Sequence, residues 1–206
     1  MKISIIREST YKLLPWKNGL GMTKEIIISP ETAVARESNF LWRLSTATLE
    51  GKESFSLFPG YMRTLAVVRG KELELSFSSG QSHETKILKN YHHVEFSGEI
   101  SAVSDSRFGE VQDLNWICRR DIQSDFTMMN LTSKTTALRT GKTSIIYCIK
   151  GKFGLTGDKL TGDELRLGNV DQMIAEGDTL CLCDPEANLQ LTRTDDETVF
   201  AHIRVY

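Results

Sequence analysis

The chain has 206 residues and a formal net charge of −2 at pH 7. This length suits one large all-β domain or two smaller lobes, and it is long enough to bury a hydrophobic core. The near balance of acidic and basic residues gives no electrostatic reason to expect binding to nucleic acid or to an anionic membrane surface. No apolar run is long enough to span a bilayer, so the sequence predicts no membrane helix.

The N-terminal segment and the cysteines both bear on the compartment. The segment lacks the apolar core and small-residue cleavage site of a secretory signal peptide, so we expect a cytoplasmic protein. Four cysteines fit a reducing environment. Cys181 and Cys183 share one face of a predicted strand, but no second pair completes a structural zinc site. We therefore interpret the cysteines as buried apolar side chains.

The first predicted elements are a strand at Lys2–Arg7 and a hairpin between Pro15 and Pro30. Asn18 and Gly19 form a turn signal in this hairpin. The strand that follows, Thr23–Ser29, places Thr23, Glu25 and Ile27 on one face. Polar residues are concentrated here, and this pattern fits either a solvated loop or the rim of a binding site.

The segment from Phe40 to Phe77 alternates residue types at period two and is interrupted by glycine and proline. This pattern predicts successive half-buried strands joined by tight turns. On the strand Leu41–Leu49, Arg43 and Ser45 share a face with apolar residues. An arginine that faces inward needs a compensating partner, because an unpaired buried charge is costly.

Later segments predict further strands, and one of them repeats this polar pattern. The short strands are expected at Glu84–Lys89, His92–Phe96, Glu99–Val103 and Val111–Arg119. The last of these puts Asp113, Asn115 and Arg119 on one face with apolar neighbours. Asp113 is thus a candidate partner for Arg43. Two such strands in one chain predict a polar pocket inside a barrel.

The second half of the chain indicates a second lobe. The segment Asp121–Thr140 is rich in Thr and Ser and is predicted to join lobes at 1–120 and 121–206. Leu65–Lys71 and Ile145–Lys152 share an apolar strand followed by a basic residue, Gly and Lys, which suggests an internal repeat. A short helix is predicted within Asp163–Ala175.

Four ordered motifs in the first 120 residues resemble the HutD/Ves family of cupin-like proteins. They are PWKNGLGMTKE, FLWRLSTA, FSLFPGYMRTL and the pattern D-x-N-x-x-x-R-R that begins at Asp113. The family turn usually reads Asn-Gly-Gly-Gly or Asn-(Ala/Gly)-x-Gly, whereas this chain has Asn-Gly-Leu-Gly, which leaves the turn intact. The resemblance implies an all-β, two-lobed (bicupin) cupin-like β-barrel or jelly roll with a polar pocket in the first lobe. Some family members are encoded with histidine-utilisation enzymes and are thought to sense or regulate that pathway, and others are similar to stress-induced proteins.

The sequence predicts no metal site and no cofactor. His92 and His93 are adjacent and would point to opposite faces of a strand, so they cannot both bind one ion. A nucleophile elbow, a Walker loop and a G-x-G-x-x-G motif are all missing. We therefore assign neither catalytic nor metal-binding residues.

What remains is recognition of a small anion. Guanidinium groups present a fork of donors that fits a carboxylate, and the proposed ligand is a small carboxylate. Trp16, Phe58 and Trp42 are candidates for apolar walls. The predicted ligand-binding residues are Trp16, Lys17, Asn18, Glu25, Arg43, Ser45, Ser56, Phe58, Arg63, Asp113, Asn115 and Arg119.

Three classes of function remain open at this point, and so does the oligomeric state, with a homodimer as one option. The first, which the sequence favours, is a non-catalytic sensor or modulator of metabolism that binds a small carboxylate. The second is a metal-independent isomerase or lyase that uses Glu25 and Lys17. The third is a scaffold with a vestigial pocket, in which Arg43 and Arg119 form structural ion pairs with Asp113 and Glu25.

Overall fold

A computed structural model describes residues 2–16, 21–156, 173–183 and 188–206. In these ranges the regular structure consists of β-strands and two short 3-10 helices, Glu8–Thr10 and Ala35–Glu37. Every strand pairing within them is antiparallel. None of the helices in the described ranges has the length and apolar character needed to cross a membrane.

The strands are numbered in chain order. Those of the first part are β1 (Lys2–Ile6), β2 (Lys12–Pro15), β3 (Met22–Ser29), β4 (Trp42–Leu49), β5 (Lys52–Ser54), β6 (Tyr61–Arg69), β7 (Glu72–Ser79), β8 (Ser82–Lys89), β9 (His93–Ser97), β10 (Ser101–Asp105) and β11 (Val111–Arg119). Those of the second part are β12 (Ser124–Asn130), β13 (Thr135–Arg139), β14 (Thr143–Lys150), β15 (Lys152–Thr156), β16 (Ile174–Ala175), β17 (Thr179–Cys183), β18 (Asn188–Arg193) and β19 (Val199–Val205).

The chain divides into two compact units. The first, called the pocket unit, is Tyr11–Ile122, and the second, called the C-terminal unit, combines Met1–Thr10 with Gln123–Tyr206. The sequence-based division at 1–120 and 121–206 differs from this at the N-terminus. The reason is a strand pairing: β1 pairs with β17, so the first ten residues are grouped with the second part of the chain.

Each unit contains two sheets, and the two units share one strand order. The pocket unit has the sheets β2-β3-β4-β11-β6-β9 and β5-β10-β7-β8 in its described residues. The described sheets of the C-terminal unit are β1-β17-β14-β19-β12 and β13-β18-β15-β16. When eight is added to each strand number, the order β4-β11-β6-β9 becomes β12-β19-β14-β17. In the same way, β5-β10-β7-β8 becomes β13-β18-β15-β16. This equivalence supports the internal repeat suggested by the sequence.

The repeated sequence marks a matching irregularity in both units. The pairing of β6 with β11 shifts register between Gln112 and Asp113, and the pairing of β14 with β19 shifts between Cys148 and Lys150. Directly after these β-bulges come Gly70 and Gly151, with φ of 111° and 77°. A backbone with positive φ suits glycine, so the chain uses the same device in each unit where it leaves one sheet and enters the other.

Apolar side chains from both sheets meet inside each unit. In the pocket unit, Leu65 and Val67 of the six-stranded sheet cluster with Leu73 and Leu75 of the four-stranded sheet. In the C-terminal unit, Ile146 and Phe200 of one sheet cluster in the same way with apolar residues of the other, including Phe153 and Leu191. This is the packing of a β-sandwich, in which the inner faces of two sheets supply the core.

The all-β fold is confirmed, and individual elements differ from the prediction. Asp121–Thr140, the segment predicted to join the two lobes, contains β12 and β13. Threonine and other residues with high β-propensity form a strand when a partner strand such as β19 is available. The residues 163–172 of the predicted helix lie outside the described ranges, and Ile174–Ala175 is a strand. Cys118, Cys148 and Cys181 are buried and Cys183 is partly buried.

We expect Gly151→Ala to destabilise the protein more than Gly51→Ala. Both glycines have positive φ, at 77° and 70°, so alanine carries a similar backbone strain of about 1–2 kcal/mol at each. A Cβ at residue 151 would lie 2.3 Å from the carbonyl oxygen of Glu197, whereas residue 51 has nothing within 4 Å. Chemical denaturation of the two variants measures the difference. Equal losses would show that the backbone at residue 151 moves freely.

Candidate functional site

The pocket unit contains a partly open cavity of about 350 Å³. Its wall comes from the inner face of the six-stranded sheet, from the 3-10 helix Ala35–Glu37, and from β5 and the chain between β5 and β6. The predicted site residues that line it are Trp16, Arg43, Ser45, Ser56, Phe58, Arg63, Asp113 and Asn115. Lys17 and Asn18 lie outside the described residues. The volume falls within the range of small-molecule pockets.

The predicted inward face of β4 and β11 is the face that lines the cavity. The two strands pair so that Ser45 lies opposite Asn115 and Ala47 opposite Asp113. Directly opposed residues of antiparallel strands point to the same side of a sheet, so their polar groups converge. Trp42 points to the other side, where its ring lies 5.5 Å from that of Trp116, so it is not a cavity wall.

The partner of Arg43 is Glu25. Arg43 Nε donates a hydrogen bond to Glu25 Oε2 at 2.7 Å, and both side chains are 8% exposed. The prediction of Asp113 as this partner was wrong. A β-bulge between Glu25 and Ile27 explains the pairing, because it keeps Glu25 on the inner face opposite Ser45 and brings Ile28, rather than the expected Ile27, opposite Arg43. Glu25 therefore fixes the Arg43 side chain through this ion pair and does not itself line the cavity.

Arg63, on β6, is buried among aromatic rings. Its side chain carbon Cζ lies 4.9 Å from the ring centre of Phe55, 5.2 Å from that of Phe96 and 5.7 Å from that of Phe58. These are cation–π distances. Arg63 Nη1 donates to the Ser56 carbonyl oxygen at 3.1 Å. Its Nε has no hydrogen-bond partner among the described residues.

Asp113 is the second buried acidic residue of the site, after Glu25. Its Oδ1 accepts a hydrogen bond from the Ala47 N–H at 2.7 Å. Burial raises the pKa of this carboxyl to about 7, although the Ala47 hydrogen bond and the Arg63 and Arg43 guanidinium groups oppose the rise. In turn, burial lowers the pKa of Arg63 to about 10, with Asp113 opposing and Arg43 reinforcing the change. Asp113 and Arg63 are therefore electrostatic partners in a site shielded from water.

Asn115 and Trp16 complete the polar lining. Asn115 is buried, and its Oδ1 has no hydrogen-bond partner among the described residues. Trp16 Nε1 donates to Thr23 Oγ1 at 2.9 Å, which fixes the indole at the cavity edge. Thr23 also lines the cavity. The sequence analysis placed it on one face with Glu25 but did not include it among the ligand-binding residues.

Arg119 does not belong to the site. It is exposed at the end of β11, where its Nε and Nη2 donate to the two carboxylate oxygens of Asp121 at 2.6 and 2.9 Å. The period-two pattern assigned it correctly to a strand but could not show that the cavity ends before it. Its predicted role in ligand binding is therefore not supported by its position.

Phe55 and Phe96 are the main omissions of the sequence analysis. Both pack against the Arg63 guanidinium. Phe55 belongs to the same F-S-L-F segment as the predicted Ser56 and Phe58, so its place in the site could have been predicted from the sequence. Phe96 approaches from β9, the neighbour of β6, where Phe96 lies opposite Arg63. Finding it required the strand pairing.

The described residues contain no group of three or more His, Cys, Asp and Glu side chains that could hold a metal ion. The absence of a metal and of a cofactor stays a prediction.

Comparison with sequence families and relatives gives a consistent assignment. A family model described as HutD matches residues 8–200. Protein Ves of Citrobacter koseri is 28% identical over 190 residues, which cover 91% of this chain and 87% of that protein. An uncharacterised 21.2 kDa protein in the hutC 3′ region of Pseudomonas putida is 32% identical over 116 residues, 56% of this chain and 58% of that protein.

Solved structures confirm the cupin-like fold. A conserved protein of unknown function from Pseudomonas aeruginosa PAO1 aligns with a TM-score of 0.83 at 21% identity, over 100% of this chain and 99% of that one. HutD from Pseudomonas fluorescens SBW25 aligns with a TM-score of 0.74 at 20% identity and complete coverage of both chains. A variant of Bacillus subtilis oxalate decarboxylase aligns at 0.67 with 7% identity, over 97% of this chain and 76% of that one.

We expect Glu25→Gln to destabilise the protein by about 3 kcal/mol, because it leaves the Arg43 charge buried without its partner. The exposed pair of Arg119 with Asp121 supplies a control, and Asp121→Asn should change stability little. Chemical denaturation at pH 7 measures both. A loss in Glu25→Gln no greater than in the control would show that Glu25 does not compensate Arg43.

Asp113→Asn should remove a pH dependence of stability. A carboxyl whose pKa rises from 3.8 to about 7 on folding stabilises the wild type below pH 4, and this contribution is lost as pH rises to 7. The unfolding free energy of the variant, relative to wild type, should therefore increase by up to about 1.4 kcal/mol per unit between pH 4 and 7. Denaturation across this range measures it. The increase should be missing in Asp121→Asn, since Arg119 lowers the pKa of Asp121.

Proposed function

The chain belongs to the HutD family, and we propose that its pocket unit binds a small carboxylate without transforming it. The observation that carries the proposal is Arg63, which lines the cavity, is only 3% exposed, and has a buried Nε without a hydrogen-bond partner among the described residues. A carboxylate is an acceptor that fits such a donor and forms charge-assisted hydrogen bonds with it. The ligand would thus supply what the described residues leave missing.

The second guanidinium supports the same ligand class. Arg43 lines the cavity, and its Nε is committed to Glu25. Its terminal nitrogens make no hydrogen bond to a described residue. A guanidinium locked through Nε presents its terminal donors in a fixed direction, which reduces the entropy lost on binding. Arg43 and Arg63 would then act together on the ligand.

A binding role is favoured over catalysis by the composition of the wall. The described residues that line the cavity include no histidine, cysteine or lysine. The likeness to the P. putida protein of the hutC 3′ region supports a role as a sensor or modulator of metabolism, with histidine catabolism as the process it would follow. A cytoplasmic location fits this role.

One observation favours a second candidate, a metal-independent isomerase or lyase. The pKa of Asp113, raised to about 7 by burial, is that of a general acid or base that works near neutral pH. Asp113 would then replace Glu25, which is engaged with Arg43. Incubation of a bound acid in D₂O, followed by NMR, separates the candidates, because proton abstraction would exchange carbon-bound hydrogen and simple binding would not.

Thermal shift with a panel of small carboxylates tests the binding proposal. An acid at a hundred times its Kd should stabilise the wild type by about 2.7 kcal/mol. Arg63→Met keeps an apolar stem among the three rings and removes the charge, so it should abolish this stabilisation while the unliganded variant still melts cooperatively. Arg119→Met, at an exposed arginine, should behave as wild type. If no carboxylate shifts the melting of the wild type, the scaffold alternative stands.

A further inference from the structure

Two residues that line the cavity each have a buried polar side-chain atom without a hydrogen-bond partner among the described residues, and the two atoms are of opposite type. Arg63 Nε is a donor, and Asn115 Oδ1 is an acceptor. Among the described residues one other buried side-chain atom is unpartnered, Asn90 Oδ1, and Asn90 does not line the cavity. Buried polar groups in folded proteins are nearly always hydrogen-bonded. The concentration of exceptions in one cavity indicates that a ligand satisfies them.

A carboxylate can satisfy only one of the two. It has acceptor oxygens and no donor, so it fits Arg63 Nε and leaves Asn115 Oδ1 without a partner. No described residue supplies the missing donor, although Ser45 lies directly opposite Asn115 in the strand register. A donor at the other end of the ligand would supply it.

Asp113 adds a second acceptor on the same side. It precedes Asn115 by two residues, so both side chains point into the cavity from one strand face. One of its oxygens accepts from the Ala47 N–H, and the described residues donate no further hydrogen bond to its side chain. An N–H or O–H group placed between Asp113 and Asn115 would find acceptors on both.

The charges of the site point the same way. Arg43 and Glu25 neutralise each other through their hydrogen bond, and Asp113 and Arg63 are the other buried charges of the described lining. Arg36 and Glu53 also line the cavity, but Arg36 is exposed and Glu53 is only partly buried. A ligand with an acidic group alone would bring a second negative charge towards Asp113. A ligand that also carries a donor places its acid near Arg63 and its donor near Asp113, so Asp113 receives a hydrogen bond and does not face a second acceptor.

We propose that the ligand is a bifunctional acid, with a carboxylate for the two arginines and an N–H or O–H donor for Asn115 and Asp113. This rests on the proposed function, because it assigns the second half of the same ligand. Asn115 is thus the residue that determines specificity, since it distinguishes acids with a distal donor from acids of the same size without one. A site built to bind a donor rejects the analogue that lacks it.

Matched amide and ester acids test this directly. Succinamate and monomethyl succinate have nearly the same size and carry the same carboxylate, but only the amide has a donor. Glutaramate and monomethyl glutarate extend the pair by one carbon. With titration calorimetry on the intact chain, we expect the wild type to bind the better-fitting amide at least about tenfold more tightly than its ester.

Asn115→Leu removes the acceptor and keeps the approximate size of the side chain. It should bring the amide-to-ester ratio to about one with little change in the Kd of the ester. Gln112→Leu, on the opposite face of the same strand, is the control and should keep the wild-type ratio. If Asn115→Leu fails to fold, the amide-to-ester affinity ratio of the wild type still tests whether the ligand needs a donor.

The outcomes separate the two proposals. A ratio near one in the wild type for both chain lengths, with measurable binding of the acids, overturns the bifunctional ligand and leaves carboxylate binding intact. Failure of all four acids, together with the wider carboxylate panel, overturns the proposed function and this inference with it. A wild-type preference that survives unchanged in Asn115→Leu overturns the role of Asn115.

Discussion

The burial of two guanidinium groups inside a β-sandwich is the constraint on which the pocket unit depends. A side chain stays charged in such a core only if nearby groups compensate its charge. Arg43 is compensated by Glu25, whose position depends on a β-bulge in β3. Arg63 is surrounded by aromatic rings and faces Asp113, whose own pKa is raised by the same burial. The bulge, the rings and the buried acid all belong to one electrostatic arrangement.

This arrangement explains why the cavity is suited to recognition. Its buried charged residues, Arg43, Arg63 and Asp113, stand on strands in the middle of a sheet, where register and packing restrict their rotamers, so little ordering is left for a ligand to induce. The arrangement is also incomplete, because Arg63 and Asn115 each have one buried atom without a hydrogen-bond partner in the part of the chain that the structure describes. A core that is rigid and polar but not satisfied among its described residues supports the proposed binding role over a purely structural ion-pair network.

The sequence predicted the face of the site better than its contacts. Alternation on β4 and β11 was sufficient to place Arg43, Ser45, Asp113 and Asn115 on one inner face, because the side-chain period of a strand is fixed by its geometry. The partner of Arg43 could not be predicted in this way. A bulge inserts one residue and reverses the alternation beyond it, and its presence depends on tertiary packing that period-two counting does not include. The contact between Phe96 and Arg63 was hidden for a related reason, since it depends on which strands are neighbours.

The repeated strand order has a consequence for how the molecule arose. Counting from the bulge in each unit, Phe200 occupies the place of Asp113, His202 that of Asn115, and Ser144 that of Arg63. Phe200 belongs to a well-filled apolar core, whereas Asp113 lines a cavity. If the two units descend from one duplicated ancestor, they have diverged at this place: the pocket unit has a polar cavity where the C-terminal unit has an apolar core. Substitutions in the core of the C-terminal unit can then change stability without altering a residue that lines the cavity.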